Sequence, residues 1–244
     1  MNDTPSTSPH PRRSKRRAVV FILLSIVLIT TALTAYQYRK GLLKVARYAP
    51  TAARGVFPNA VQRVAPPNAT AKKIVDSSHA QIGTIYDAAY KPISYPGGDV
   101  DKTKGACTDV VVRALRGVGV DLQKLMHEDM KKNFRRYPQK WGLDGPDKNI
   151  DHRRVPNQMK FFERHGQTLT KSVDENSLKT WLPGDIVCWD MQNGQLHTGI
   201  VSDGLSSAGV PLVIHNGWVC VEDDSLTRWK IIGHYRFPKR ANSV

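Results

Sequence analysis

Residues 105–116 read Gly-Ala-Cys-Thr-Asp-Val-Val-Val-Arg-Ala-Leu-Arg and mark the start of a buried helix. Apolar side chains recur there at the three- and four-residue steps of one helical face, at Val110, Val111, Ala114, Leu115 and Val118. A glycine-containing loop precedes this pattern, so Cys107 falls in the first turn or at the cap. Free backbone N–H groups and the positive end of the helix dipole lower the pKa of a thiol at that position. The stretch therefore predicts a nucleophilic cysteine at the start of a core helix.

The net charge of this 244-residue chain, formally +15, is unevenly distributed. Residues 1–73 hold 13 Lys/Arg and one acid, whereas residues 74–244 hold 23 Lys/Arg and 20 acids, which leaves +3. The basicity belongs to the N-terminal segment and gives little support to nucleic-acid binding by the remainder. We expect no nucleic-acid partner.

An uncharged apolar run of 19 residues, 18–36, is long enough to cross a hydrocarbon core of about 30 Å as a helix. Five positive charges precede it, at Arg12, Arg13, Lys15, Arg16 and Arg17. The positive-inside bias then predicts a cytoplasmic N-terminus and an exported remainder. A cleaved signal peptide is the alternative, but the run is long for one and no clean Ala-x-Ala site follows it.

The expected organisation has four parts. They are a basic cytoplasmic tail over 1–17, an anchor in the inner membrane over 18–38, a flexible basic linker over 39–71 and a periplasmic domain over 72–240. The linker assignment depends on its four prolines, its lack of acids and the absence of a sustained period.

Within the domain, predicted helices precede predicted strands. Helices are expected over about 72–88, from Cys107 onward, over about 122–135 with Asp121 as cap, and from Pro156 to Gly166. Strands are expected over 186–190, 197–202, 211–216 and about 229–237, with a hairpin turn at 192–195. Helices followed by an antiparallel meander indicate an α+β fold. The irregular stretch 136–155 has the length of a functional loop.

Two histidines fall at matching places in one strand pair. If 197–202 and 211–216 form a hairpin centred near residue 206, His197 and His215 are direct cross-strand neighbours with Cβ atoms about 5 Å apart. One could accept the proton of Cys107 and the other could orient it. The structural alternative is that each histidine is a partly buried strand residue and that Cys107 is a core residue.

The three cysteines are too few for a disulfide framework. Cys188 and Cys220 could pair in an oxidising compartment and leave Cys107 free, or all three could be reduced. Asp109 poses a separate question, because a carboxylate beside a thiolate opposes its ionisation unless it points away or pairs with a cation.

The order and spacing of these motifs resemble the papain-like peptidoglycan hydrolases of the NlpC/P60 superfamily. The corresponding residues here are 95–98 (Tyr-Pro-Gly-Gly), 107–109 (Cys-Thr-Asp), 183–187 (Pro-Gly-Asp-Ile-Val), 197–200 (His-Thr-Gly-Ile) and 214–215 (Ile-His). More closely, about 74–238 is similar to the family catalogued as domain of unknown function 1287. That similarity is carried by the motifs at 95–100, 107–111, 122–130, 150–157 and 233–236.

The resemblance implies a papain-like α+β domain with the nucleophile at a helix start packed on an antiparallel sheet. It also implies Cys107 as nucleophile, His197 as base and His215 as third member, with Thr108 lining the site. Tyr95 would line the site or donate to the oxyanion, against the alternative that it packs in the turn before the double glycine. The implied substrate is a peptidoglycan stem peptide or cross-link, or another envelope peptide. The chain departs from the usual Asp-Cys-Ser-Gly motif, has a longer gap between the histidines, and carries the extra loop.

Three further residues are candidates for substrate binding. Arg153 or Arg154 could hold the free carboxylates of a peptide stem, against the alternative of an internal salt bridge with Asp147 or Asp151. Trp189, like Trp141 and Trp218, could stack on a sugar or simply pack. His127 and His152 could join His197 at a metal, but no HxxxH or CxxC spacing supports this, so we expect no metal and no cofactor.

We therefore expect a membrane-anchored cysteine hydrolase that cleaves amide bonds through a thioacyl-enzyme. A non-catalytic wall-binding module on the same fold and a thiol-dependent acyltransferase are the alternatives. An unreactive Cys107 would favour the binding module, and product analysis with candidate acceptors would separate transfer from hydrolysis.

Overall fold

The computed structural model describes residues 61–239. The helices are Ala69–His79 (α1), Cys107–Arg116 (α2), Leu122–Asn133 (α3), Val155–His165 (α4) and Glu175–Leu178 (α5). The strands are Gln62–Arg63 (β1), Ile85–Tyr86 (β2), Lys104–Gly105 (β3), Gln167–Thr168 (β4), Ile186–Asp190 (β5), Leu196–Leu205 (β6), Pro211–Asn216 (β7), Cys220–Asp223 (β8) and Lys230–Arg236 (β9). Within the long loop, Asp151–Arg153 forms a single 3-10 turn.

Helix ends follow the predicted capping signals. The Asp121 side chain accepts the backbone N–H of Lys124 at 3.0 Å and caps α3. Pro156 lies in the first turn of α4, and Gly166 ends that helix. The first helix ends at His79 rather than near residue 88, because the chain turns at Gly83, whose φ is 94°, and enters β2.

The large sheet has the strand order β4-β9-β5-β6-β7-β8, with β1 paired to β6, and its pairings are antiparallel. The predicted meander is confirmed for β5, β6 and β7. It continues into β8, which was not predicted, and the last strand returns to pair with β5 on its other side. The α+β class is confirmed.

Strand alternation gives the sheet two buried faces. One face carries Cys188, Ile200 and Ile214 and packs against Cys107 and the apolar side of α2. The other face carries a second cluster, made of Val187, Trp189, Val201 and Val213 and covered by Trp181 and Leu226. The start of α2 therefore lies against the first face.

The domain begins earlier than predicted. Gln62 and Arg63 pair with Leu205 and Gly204 of β6, and α1 begins at Ala69. Residues 61–71 therefore belong to the folded domain and not to a flexible linker. The expected tail over 1–17, the anchor over 18–38 and the rest of the linker lie outside the described residues. Across 61–239, no helix is both long and apolar enough to cross a bilayer.

The possible Cys188–Cys220 disulfide does not form. Both cysteines are free and buried. Cys188 lies on β5 and Cys220 on β8, so two strands separate them. At about 4.8 Å per strand the gap is roughly 14 Å, well beyond the Cα separation that a disulfide allows.

Candidate active site

Cys107 is the first residue of α2 and is 5% exposed. Burial raises the pKa of its thiol to about 12, although backbone N–H groups of Thr198, Thr108 and Cys107 itself act in the opposite direction. The predicted lowering of this pKa is therefore wrong for the resting protein. The sulfur lies in an apolar environment, where the charged form loses its hydration, and this outweighs the favourable helix terminus.

Alkylation of Cys107 is accordingly expected to accelerate about tenfold per pH unit from pH 7 to 10, because the thiolate fraction rises by that factor below the pKa. Iodoacetamide labelling followed by peptide mapping would measure it. Cys188 and Cys220 are internal controls, since burial also raises their thiol pKa to about 12 and both are fully buried. A rate for Cys107 that levels off near neutral pH would contradict the burial effect.

Asp109 pairs with a cation. Arg153 donates to Asp109 Oδ1 from Nε and to Oδ2 from Nη2, both at 2.9 Å. The side chains are 2% and 5% exposed. Asp109 also accepts the backbone N–H of Ala106, which closes the first turn of α2. The charge beside the thiol is thus neutralised within the domain.

Arg153 also holds residues 87–89, which precede the nucleophile loop, the glycine-containing stretch before Cys107. Its Nη1 donates to the carbonyl of Ala89 at 2.8 Å and its Nη2 to that of Asp87 at 2.9 Å. With its donors used in this way, Arg153 is not free to bind substrate carboxylates, so that prediction is wrong. The alternative of an internal salt bridge is confirmed for Arg153, but its partner is Asp109 and not Asp147 or Asp151.

His197 and His215 share one face and are hydrogen bonded, His197 Nε2 to His215 Nδ1 at 2.8 Å. They are not directly opposite. Ile200 pairs with Ile214, and continuing that register puts Gly199 opposite His215. A Cβ at Gly199 would lie 3.0 Å from that of His215, so glycine is needed there.

Asp223 extends the hydrogen-bonded pair of histidines into a hydrogen-bonded chain of three side chains. His215 Nε2 lies 3.0 Å from Asp223 Oδ1, and Arg228 contacts the other carboxylate oxygen at 2.9 Å. Burial alone would raise the pKa of Asp223, but the hydrogen bond and charge of His215, with Ser225 and Arg228, bring it to about 2. An ionised Asp223 accepts the Nε2 proton of His215, whose Nδ1 then accepts from His197 Nε2. His197 Nδ1 is left as the unprotonated nitrogen.

The histidines and Cys107 approach β6 from different sides. His197 stacks on Trp189 with ring centroids 5.7 Å apart, on the face of the second cluster, whereas Cys107 packs on the first. Cys107 packs in the same cluster as Cys188 and Ile200, which lie beside Thr198, the residue after His197. Within residues 61–239, no hydrogen bond joins that sulfur to either histidine. Burial also lowers the pKa of His197 to about 3, so the resting groups are a neutral thiol and a neutral imidazole.

Tyr95 does not lie at the thiol. Its ring packs edge-on against His127 with centroids 5.0 Å apart, on α3. Tyr86, on β2, pairs with Gly105, two residues before Cys107. Burial raises the pKa of Tyr86 to about 12, and the charges of Cys107 and Asp109 add to this effect. Tyr86 therefore stays protonated and can donate a hydrogen bond.

The remaining predicted residues have structural partners. The Thr108 hydroxyl donates to the carbonyl of Arg153 at 3.0 Å and does not line a cleft. Arg154 pairs with Asp151 at 2.7 Å and stacks over Trp141. Trp189 is fully buried and donates to the carbonyl of Leu226. The prediction for Trp189 as a substrate contact is therefore wrong, whereas that for Arg154, whose side chain is 17% exposed, stays a prediction.

One group of potential metal ligands occurs elsewhere in the described residues, formed by His79, Asp203 and Glu222. Arg63 of β1 pairs with Asp203 and, at 2.9 Å, with Glu222. A cation is thus already present between the carboxylates. This group holds β1 against the sheet and lies apart from the predicted metal candidates His127 and His152.

The geometry defines an α+β domain with a helix-start cysteine beside a buried His–His–Asp chain. The chain belongs to the family described as domain of unknown function DUF1287, which matches residues 75–237, as the sequence motifs indicated. Protein YijF of Escherichia coli strain K12, described as uncharacterized, is 53% identical over 167 residues. That alignment covers 67% of this chain and 80% of YijF.

Two solved structures show a distant likeness. NlpC1 from Trichomonas vaginalis is 16% identical with a TM-score of 0.37, over 74% of this chain and 48% of NlpC1, about half its length. An N-acetylmuramoyl-L-alanine amidase from Bacteroides uniformis is 14% identical with a TM-score of 0.46, over 69% of this chain and 99% of that protein. Likeness at this level carries no information on the activity of this chain.

Proposed function

We propose that this protein is a papain-like cysteine hydrolase that cleaves amide bonds in peptidoglycan stem peptides or cross-links, held at the inner membrane by residues 18–38 with its domain in the periplasm. The observation that carries the proposal is a helix-start thiol packed on the sheet beside Thr198, the residue that follows an oriented histidine of β6. The backbone N–H of Thr198 acts to lower the pKa of the Cys107 thiol, and His197 is the preceding residue.

In the proposed reaction, Cys107 Sγ attacks the amide carbonyl while its proton passes to His197 Nδ1. The oxyanion is stabilised by the Cys107 backbone N–H and the Tyr86 hydroxyl. His197 then protonates the leaving amine as the C–N bond breaks, which leaves a thioacyl-enzyme. Water, deprotonated by His197, attacks the thioester, and the free carboxylate and the thiol are released.

A neutral Cys107 thiol and a neutral His197 imidazole at rest have the protonation states that the first step requires. Because the thiol and the imidazole lie on opposite faces of β6 at rest, the proposed proton transfer requires His197 to move toward the thiol when substrate binds. Proton transfer accompanies attack, and no preformed thiolate is required.

Full-length protein incubated with defined muropeptides, followed by mass spectrometry of the products, tests the proposal. A new amine and a new carboxylate from one amide are expected, with the substrate acyl group transiently attached to the Cys107 peptide. Intact muropeptides and no acyl adduct, under conditions where the protein is folded, would contradict it.

The burial of Cys107 favours one second candidate, a non-catalytic module that holds wall peptide beside an inert thiol. It predicts muropeptide binding without turnover and no alkylation of Cys107 even at pH 9.

Asp223→Asn is expected to lower kcat on the order of 100-fold, because an asparagine N–H facing His215 reverses the proton order and leaves His197 Nδ1 protonated. Steady-state kinetics on the muropeptide that wild type cleaves would measure this loss. Asp223→Glu should restore part of the rate. The exposed neighbour change Asp224→Asn is the matched control and should leave kcat unchanged. Equal rates for Asp223→Asn and wild type would contradict a positioning role for Asp223.

A further inference from the structure

A single exposed tryptophan stands at the tip of the hairpin between β7 and β8. Asn216 and Cys220 pair across the two strands, so the turn consists of residues 217–219. Trp218 in this turn is 49% exposed, and its ring has no aromatic partner within residues 61–239. The proposed reaction gives it no role.

The hairpin tip is fixed against the nucleophile loop. Asn216 is fully buried and its Nδ2 donates to the carbonyl of Gly105 at 2.9 Å, two residues before Cys107. The carbonyl of Trp218 accepts the backbone N–H of Tyr86 at 2.9 Å. These bonds place Trp218 at the rim of the site with a defined backbone.

Trp218 and Tyr86 lie opposite each other along the backbone. Ile85 bridges Val219 in antiparallel fashion, which places Tyr86 directly opposite Trp218 in the backbone. Cys220, two residues on, packs in the cluster that contains Cys107. Tyr86 is 40% exposed. Two half-exposed aromatic residues therefore lie on segments that pack beside Gly105, two residues before the thiol.

The charged candidates near the thiol are internally paired. Arg153 is bound to Asp109, and Arg154 to Asp151. What this side of the site offers to a ligand is thus aromatic surface, together with the Tyr86 hydroxyl. Aromatic rings with a polar edge suit a neutral ring that has an apolar C–H face and peripheral hydroxyls.

We propose that Trp218, together with Tyr86, binds a pyranose ring of the substrate next to the scissile amide, so that the protein prefers muropeptides that retain their sugar. This inference rests on the proposed function and names its substrate class. It makes Trp218 a specificity-determining residue rather than a catalytic one.

The test compares a muramyl peptide with the same peptide lacking its sugar, using full-length protein. Trp218→Ala should raise KM for the sugar-bearing substrate about tenfold, with kcat changed by less than about twofold. It should leave the sugar-free peptide unaffected. Trp218→Phe should recover part of the loss, and Trp141→Ala, which removes a half-exposed tryptophan stacked on Arg154, is the matched control.

An unchanged KM for the sugar-bearing substrate, or an equal loss on both substrates, would overturn the inference. A wild-type protein that cleaves neither substrate contradicts the proposed function only. The role of Trp218 in sugar binding is then tested by calorimetry, which compares the affinity of the muramyl peptide for Cys107→Ala with its affinity for the double variant Cys107→Ala/Trp218→Ala. Weaker binding in the double variant supports sugar binding by Trp218, and equal binding overturns it.

Discussion

Cys107→Ala is expected to abolish muropeptide hydrolysis, with a loss of at least about 10⁴-fold in kcat. The proposed route forms a covalent bond to the sulfur, and in the described residues no other thiol lies at a helix start beside β6. Cys188 and Cys220 are fully buried within strands. Rates would be measured from muropeptide products by liquid chromatography and mass spectrometry.

Cys188→Ala is the matched control for this experiment. It removes a buried thiol from the same apolar cluster, whose sulfur lies 3.4 Å from the Thr198 hydroxyl, without touching the proposed reaction. Its kcat should stay within about twofold of wild type once folding is verified by circular dichroism. A Cys107→Ala protein that digests muropeptides at the wild-type rate would overturn the cysteine mechanism. A control as inactive as Cys107→Ala would instead attribute the loss to packing.

Local sequence signals were sufficient where the determinant is local. Asp121 caps a helix because its carboxylate reaches an N–H three residues on, and Gly166 ends one at the predicted place. The strand 211–216 was predicted at its observed bounds, since it is a short apolar run bounded by turn residues. These elements depend on contacts within a few residues of chain.

The site required information that local patterns do not carry. The hairpin of β6 and β7 turns about residue 208, since Leu205 pairs with Pro211, and not about residue 206. Together with the register shift between Val201 and Leu205, this puts Gly199, not His197, opposite His215. Asp223 enters through β8, a four-residue strand with no apolar alternation. Tyr86 lies on a two-residue strand, too short to show a period.

The electrostatic prediction for Cys107 was incomplete for a related reason. A helix terminus lowers a thiol pKa when the sulfur meets solvent, but the same apolar face that identified α2 also buries the sulfur. The rise in the thiol pKa caused by burial exceeds the lowering caused by the backbone N–H groups. The partner of Asp109 could not be inferred either, because Arg153 is 44 residues away in the chain.

The largest effect on stability is expected from the Asp109–Arg153 pair. Arg153→Met should lower the free energy of unfolding by about 3–5 kcal/mol, because a buried carboxylate loses its counter-charge. The carbonyls of Asp87 and Ala89 lose their donors as well. The expected fall in melting temperature is on the order of 10 °C, measured by calorimetry or chemical denaturation.

A double-mutant cycle separates the charge pair from these other contacts. Asp109→Asn keeps an acceptor for the Ala106 N–H but leaves the guanidinium buried without a counter-charge, so it should cost a similar amount. The double variant removes both charges and should cost less than the sum of the single changes, by about 2 kcal/mol. Lys72→Met is the control, since Lys72 and Asp76 form an exposed pair whose loss should cost less than about 1 kcal/mol. Strict additivity of the two buried changes would show that the pair contributes no coupling, and that Arg153 acts only through the two carbonyls it holds.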